Sequence, residues 1–193
     1  MKRSEVDRNK LSPMMAQYME IKDKYSEELV FYRLGDFYEM FFDDALIASR
    51  ELELTLTGRV AGLEERVPMC GVPHNNVKTY IEKLVNKGYR VAICEQLEDP
   101  KTTGNRMVKR GIVDVISKGT IADNDLLNER DSSYIASVLF FQDIINITIL
   151  DISTSYLASL SIPNNMDTLL NEILNYNIKE VVLLDNLNTA LID

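Results

Sequence analysis

An α/β fold in two parts is predicted for this 193-residue chain by three observations. Apolar residues recur at helical spacing in some segments and alternate in others, so helices and strands are interleaved. A content of 46% apolar residues suffices for one medium or two small cores. Charge is divided unevenly: residues 1–113 hold 18 Lys and Arg against 18 Asp and Glu, whereas residues 114–193 hold 3 against 12, so the whole net charge of −9 lies in the second part. A neutral first part can carry a basic face toward a polyanion. A strongly acidic second part does not lie along phosphates, which points to two domains with different partners.

Each element has its own signal. Ser12 followed by Pro13 is an N-cap with a first-position proline, and Met15, Tyr18, Met19 and Ile21 follow roughly at helical spacing, giving a helix to about Asp23. Val30, Tyr32 and Leu34 alternate and stop at Gly35-Asp36, a strand entering a tight turn. The carboxylates of Asp43 and Asp44 suit the start of a second helix running through Ala48 and Leu52. Residues 67–72 and 89–97 read as buried strands, and Val77, Tyr80, Ile81, Leu84 and Val85 between them make an amphipathic helix closed by Gly88. Residues 118–133 lose apolar period and gain acid and turn residues, so they read as a linker between domains 1–117 and 134–193. Strands are expected at 134–141, 144–151 and 155–161, then a helix at about 166–176 and a last strand at Val181-Val182-Leu183-Leu184-Asp185.

Some classes of protein are disfavoured at this point. No run of about 18 apolar residues could span a bilayer, and the first residues lack the apolar stretch of a signal peptide, so a cytoplasmic, membrane-free protein is expected. Cys70 and Cys94 have no second Cys or His at metal-ligand spacing, and buried reduced thiols are expected in place of a disulfide or a metal site.

The segment FYRLGDFYEMFFDDA, residues 31–45, sets Phe37-Tyr38-Glu39 directly after the Gly35-Asp36 turn. It resembles the GDFYE-x-F-x-DDA signature of the MutS family of mismatch-repair proteins. The resemblance continues through LTLTGR (54–59), VPMCGVPHN (67–75), AICEQLEDP (92–100) and KGTIAD (118–123). Ordered blocks spread over most of the first 130 residues are far more specific than one short motif. The resemblance implies a mixed-sheet mismatch-recognition domain followed by an incomplete, RNase H-like connector domain, to which residues 134–193 are similar mainly in pattern and order.

In that family a Phe-x-Glu pair reads the mismatch, so the resemblance assigns those roles to Phe37 and Glu39. Independent chemistry supports the pairing. An aromatic wedge in the minor groove must unstack bases at roughly a few kcal/mol, least where pairing is already defective. A mispaired site also kinks more readily than a perfect helix, so deformability rather than sequence is selected. Glu39 beside a polyanion is unfavourable unless it is protonated or accepts a hydrogen bond from a base, and nearby phosphates and desolvation both favour the protonated form. Glu39 is therefore expected to hydrogen-bond the wedged base and to penalise unkinked DNA.

A plain helix start competes with this assignment. Phe37, Met40 and Phe41 are spaced i, i+3, i+4, and Asp36 with Glu39 imitates a capping box. Two side chains addressing one base must share a face, which a strand provides and a helix, with those residues about 200° apart, does not. An extended 36–41 pairing back onto 30–34 is expected.

Further DNA contacts are expected more weakly. Arg59 closes the LTLTGR block and is either a backbone or minor-groove contact or a surface arginine. Met69 either flanks the wedge or packs in the core, and the following Gly71-Val72-Pro73-His74 reads as a turn. The family usually has an aromatic before a histidine after that proline, whereas His74-Asn75-Asn76 follows here, so no specific contact is carried to His74. Lys101, Arg106, Lys109 and Arg110 make the most basic stretch, read as a phosphate-contacting loop.

The full-length family is an ATPase using ATP and Mg, but G-x-x-x-x-G-K-[ST] requires a Gly-Lys-Ser/Thr end that these residues lack, so neither ATP hydrolysis nor any cofactor is expected of this chain. The resemblance implies mismatched double-stranded DNA, a MutL-type matchmaker and, in the full-length protein, a second MutS copy as partners. Two other classes compete: a protein-interaction module in the acidic second part, and a metal-dependent nuclease using Asp143 and Asp151, which would need several carboxylates converging on one place.

Overall fold

A computed structural model describes residues 3–98, 107–120 and 134–184. The chain separates into two compact units, Met1–Ser117 and Lys118–Asp193.

The first unit is a six-stranded mixed sheet in the order β3-β4-β2-β1-β5-β6. Helix α1 (Pro13–Lys24) begins behind Ser12 as its proline predicts. Strand β1 (Leu29–Leu34) turns through Gly35-Asp36 into β2 (Phe37–Phe41), pairing antiparallel with Leu34 opposite Phe37 and Tyr32 opposite Glu39. Gly35 at φ +57 takes the first position of this two-residue turn, the conformation that matches strand twist and that glycine adopts without strain. The expected extended conformation is therefore present, and the capping-box helix is not.

Helix α2 (Phe42–Glu51) follows β2 with no intervening loop. The switch is made at Phe42, which holds φ +52 although it is neither Gly nor Asn. Burial of its ring, stacked on Tyr18 at 6.2 Å between centroids, offsets that strain. Strand β3 (Thr57–Arg59) pairs with β4 (Val67–Pro73), which pairs with β2; α3 (Val77–Asn86) then leads to β5 (Val91–Gln96), parallel to β1. Two expectations need correction. Gly71-Val72-Pro73 is not a turn but the last part of β4, and the chain turns only at the short 3-10 segment His74–Asn76. Arg110 does not lie on an open loop: it starts β6 (Arg110–Ile116), a strand hidden by its basic lead-in. Strand β3, three residues long, gives too short an alternation to be seen.

Strand alternation sorts the core. Val30, Tyr32, Phe41, Val67, Ala92 and Cys94 pack with Met15, Tyr18 and Met19 of α1. Tyr18 is the hub, meeting the rings of Tyr32 and Phe41 edge-on at 5.6 and 5.0 Å. On the other parity of the strands, the Cys70 thiol reaches Ala45 O of α2. Both cysteines are free and buried, and burial pushes each thiol up to about 12.

The second unit is a four-stranded sheet in the order β10-β7-β8-β9. Strands β7 (Tyr134–Phe140), β8 (Ile144–Asp151) and β9 (Tyr156–Pro163) form an antiparallel meander, α4 (Met166–Asn175) follows, and β10 (Ile178–Val182) returns parallel to β7. Ala136, Val138, Ile145, Ile147, Ile149 and Ile162 meet Leu169 of α4 in its core. The last strand begins earlier than expected, at Ile178 rather than Val181, because Asn177 at φ +52 ends the helix and redirects the chain at once. Of the expected linker, Lys118–Thr120 is a turn, and residues 121–133 lie outside the described residues.

Candidate nucleic-acid interface

At the β1–β2 hairpin the pleat decides what is presented. Along β2, Phe37 is 48% exposed, Tyr38 and Met40 are buried, and Glu39 is intermediate. Phe37 and Glu39 therefore share one face, as strand period requires. Phe37 stands at the hairpin end between Leu34 of β1 and Pro73 of β4, its register partners. An aromatic ring half open to solvent at the tip of a paired strand has a rigid base and a free edge.

Glu39 sits one pleat inward, opposite Gly71 on β4 and Tyr32 on β1. Its carboxylate accepts a charge-assisted bond from the Arg59 guanidinium, which approaches from edge strand β3 and lies 6.0 Å from the Phe41 ring centroid. The side chains are 36% exposed for Arg59 and 16% for Glu39, so the pair is half shielded rather than buried. Sequence reasoning named both residues but not their contact, because the register that brings β3 within reach of β2 is set by β4 between them. Gly71, expected only as a turn residue, escaped notice as their neighbour for the same reason: a Cβ there would stand 3.5 Å from Glu39 Cγ and 3.3 Å from Tyr38 O.

Behind the hairpin, Tyr38 donates to the Glu95 carboxylate, and Arg33 lies 3.5 Å from that carboxylate and 5.4 Å from the Tyr38 ring centroid. Arg33 Nε also donates to Gly35 O at 2.6 Å, tying the turn to this cluster. Burial, reinforced by the Glu95 bond, raises the Tyr38 hydroxyl to about 12, so it remains a donor at neutral pH. Alternation alone places Tyr38 on the face opposite Phe37, whereas the sequence shows Glu95 only as one residue of the AICEQLEDP block and gives no sign of its bond to Tyr38.

The remaining expected contacts fall in different places. Met69, opposite Phe41 on β4, packs against the α1 core. Arg110 is committed internally: it donates to Arg33 O at 2.9 Å and Val108 O at 3.1 Å and lies 5.1 Å from the Tyr32 ring centroid. Lys109 is exposed, and its backbone carbonyl accepts from Leu97 N. His74 is exposed, and its backbone N–H donates to Asp36 O, holding β4 beside the hairpin turn. Lys101 and Arg106 lie outside the described residues.

The carboxylates of the nuclease alternative do not converge on a metal. Asp151 accepts from Ser153 N, Ser153 Oγ and Thr154 N, and the Ser153 hydroxyl first of all pulls its carboxyl below the ordinary Asp value. It forms the β8–β9 turn. Asp143 is exposed in the β7–β8 turn, and among the described residues no three His, Cys, Asp or Glu are grouped to hold a metal ion. No helix among the described residues is long and apolar enough to cross a membrane.

A family model described as MutS domain I matches residues 12–125. Among curated relatives, the DNA mismatch repair protein MutS of Clostridium beijerinckii is 51% identical over 95% of this chain and 20% of its own length. The proteins of the same name from Clostridium botulinum strain Eklund 17B and Listeria welshimeri are 50% and 48% identical, each over 94% of this chain, covering 19% and 21% of their own lengths. The chain thus spans about a fifth of the relatives it matches.

Proposed function

The chain belongs to the MutS family of DNA mismatch repair proteins, and from that premise we propose that its first unit reads mispaired DNA with the β1–β2 hairpin. Phe37 is the wedge. The observation that carries this is its half-exposed ring at the end of a strand whose base is fixed in a six-stranded sheet. Insertion into the minor groove unstacks one base step, and the defective step resists least. Rigidity matters as much as exposure, since a floppy aromatic would lose in ordering what it gained in contact.

Glu39, on the same face, hydrogen-bonds the displaced base, and on a perfect duplex its carboxylate meets phosphates without that compensation. Lys109, which is exposed, is assigned to a phosphate contact. Arg110, already bonded inward, supports the hairpin from Arg33 O and is not assigned to DNA.

The second unit is proposed as the opening of an RNase H-like connector domain that faces proteins. A three-stranded meander, a helix and a strand returning parallel to β7 support that order, and its acidic balance favours a MutL-type matchmaker over DNA. The ATP and Mg chemistry and the pairing with a second MutS copy that the resemblance implies for the full-length family are not assigned to this chain, which spans 20% of the length of the Clostridium beijerinckii relative.

The test is competition binding of wild type and Phe37→Ala to a G·T duplex and its fully paired control, in the intact protein. Phe37→Ala should bring the two affinities within about threefold, as expected when the energy recovered at a weakened step is forfeited. Preference surviving that substitution, yet lost on deleting 133–193, would move recognition to the second unit.

A further inference from the structure

Resting on the wedge assigned to Phe37 and Glu39, we infer that Arg59 is a positioning residue that is handed over on binding: it holds Glu39 in the free protein and transfers to a DNA phosphate when the hairpin enters the groove. Three features carry this. The ion pair joins residues on two strands that are not neighbours, β3 and β2, and Arg59 reaches over the Phe41 ring to make it. The Arg59 side chain is the more exposed partner, 36% against 16%, and stands on the sheet's edge strand, so it can swing outward while Glu39 remains fixed opposite Gly71. Glu39 is shared by two competing demands, since the guanidinium holds Oε2, offsets the charge of the carboxylate and draws it toward β3, away from a base in the groove.

A phosphate is a doubly suitable acceptor for a released guanidinium, by charge and by fork geometry. Once Arg59 has moved, Glu39 is exposed to whatever lies in the groove. Opposite a mispaired base it finds a hydrogen-bond partner. Opposite a perfect duplex it is a carboxylate without its cation, close to phosphates, and the handover is unfavourable. Arg59 thereby converts general phosphate affinity into a test of the base.

A double-mutant cycle with Arg59→Met and Glu39→Gln in the intact protein, read on G·T and paired duplexes over a range of salt, tests this. In the Glu39→Gln background there is no ion pair to break, and Arg59→Met then removes only the phosphate contact. In that background the handover expects affinity to fall about tenfold on both duplexes and the log-log salt slope to decrease by about 0.9. With Glu39 present, the same substitution should cost distinctly less affinity, because the lost contact is offset by a pair no longer broken. If Arg59 instead stays on Glu39 in the complex, Arg59→Met will leave affinity and salt slope unchanged in the Glu39→Gln background, overturning the inference. A purely structural arginine would act equally in both backgrounds, which also overturns it. The wedge assignment is read separately: Phe37→Ala should bring the affinities for the two duplexes within about threefold whatever the cycle gives, and on paired DNA the Glu39→Gln background reports the phosphate contact of Arg59 without the wedge.

Discussion

The Lys22–Asp44 ion pair lies at 2.9 Å with side chains 7% and 3% exposed, and it ties α1 to the first turn of α2. Asp44 also accepts from Val30 N and the Tyr18 hydroxyl, and Lys22 also donates to Ser26 O and Glu28 O, so the cluster is well satisfied. Burial nevertheless pushes the Asp44 carboxyl above its ordinary value, against the opposing pull of Lys22. A group with a raised folded value favours folding fully below its unfolded value, and that contribution disappears as pH rises through the folded one. Removing the cation sharpens this. Lys22→Met should cost about 3 kcal/mol at pH 7, less as the medium is acidified, and Lys22→Met with Asp44→Asn should recover much of it. Urea unfolding at several pH values measures the effect; a cost independent of pH would mean that Asp44 stays comfortably ionised without its partner. Sequence reasoning saw Asp43 and Asp44 only as helix-start acids. Asp43 and Asp44 look alike in sequence, and only the packing of α1 distinguishes them by burying the second.

Among the elements, those with strong periodicity were legible. Helices α1, α3 and α4, strands β7 and β8, and the hairpin came through because alternation or helical spacing ran uninterrupted between turn residues. Strand β6 was masked by its basic lead-in, and β10 by Lys179 and Glu180 in its first half. The hairpin shows how a local signal can mislead: the capping-box spacing at Asp36 and Glu39 is real, but pairing on both sides of β2 outweighs it. The turn that begins this pairing makes a clean prediction. A Cβ on Gly35 would meet nothing within 4 Å, so the cost of replacing it is conformational alone. Gly35→Ala should lose about 1–2 kcal/mol, and Gly35→Asn less, since Asn tolerates the left-handed region. Chemical denaturation compares the two, and equal losses would point to a steric rather than a backbone origin.

At the scale of the whole molecule, the two compact units divide charge as they divide chain, and this bears on where DNA is held. That Phe37 and Glu39 share one strand face was legible because family likeness and strand period agreed, whereas the grip of Arg59 and the close approach at Gly71 were not, being products of register across three strands. Charge, by contrast, needs no register to be felt. Each phosphate contact contributes about 0.9 to the log-log salt slope of binding, so a surface off the DNA leaves the slope alone when its charges are reversed. Asp143 in the β7–β8 turn and Asp167 in the first turn of α4 are both exposed. Reversing them together as Asp143→Lys and Asp167→Lys should leave the salt slope for G·T duplex binding unchanged, while Lys109→Glu lowers it by about one contact. If the paired reversal steepened the slope by a contact or more, the acidic unit would lie within reach of the phosphates, and its assignment as a protein-facing surface would have to be abandoned.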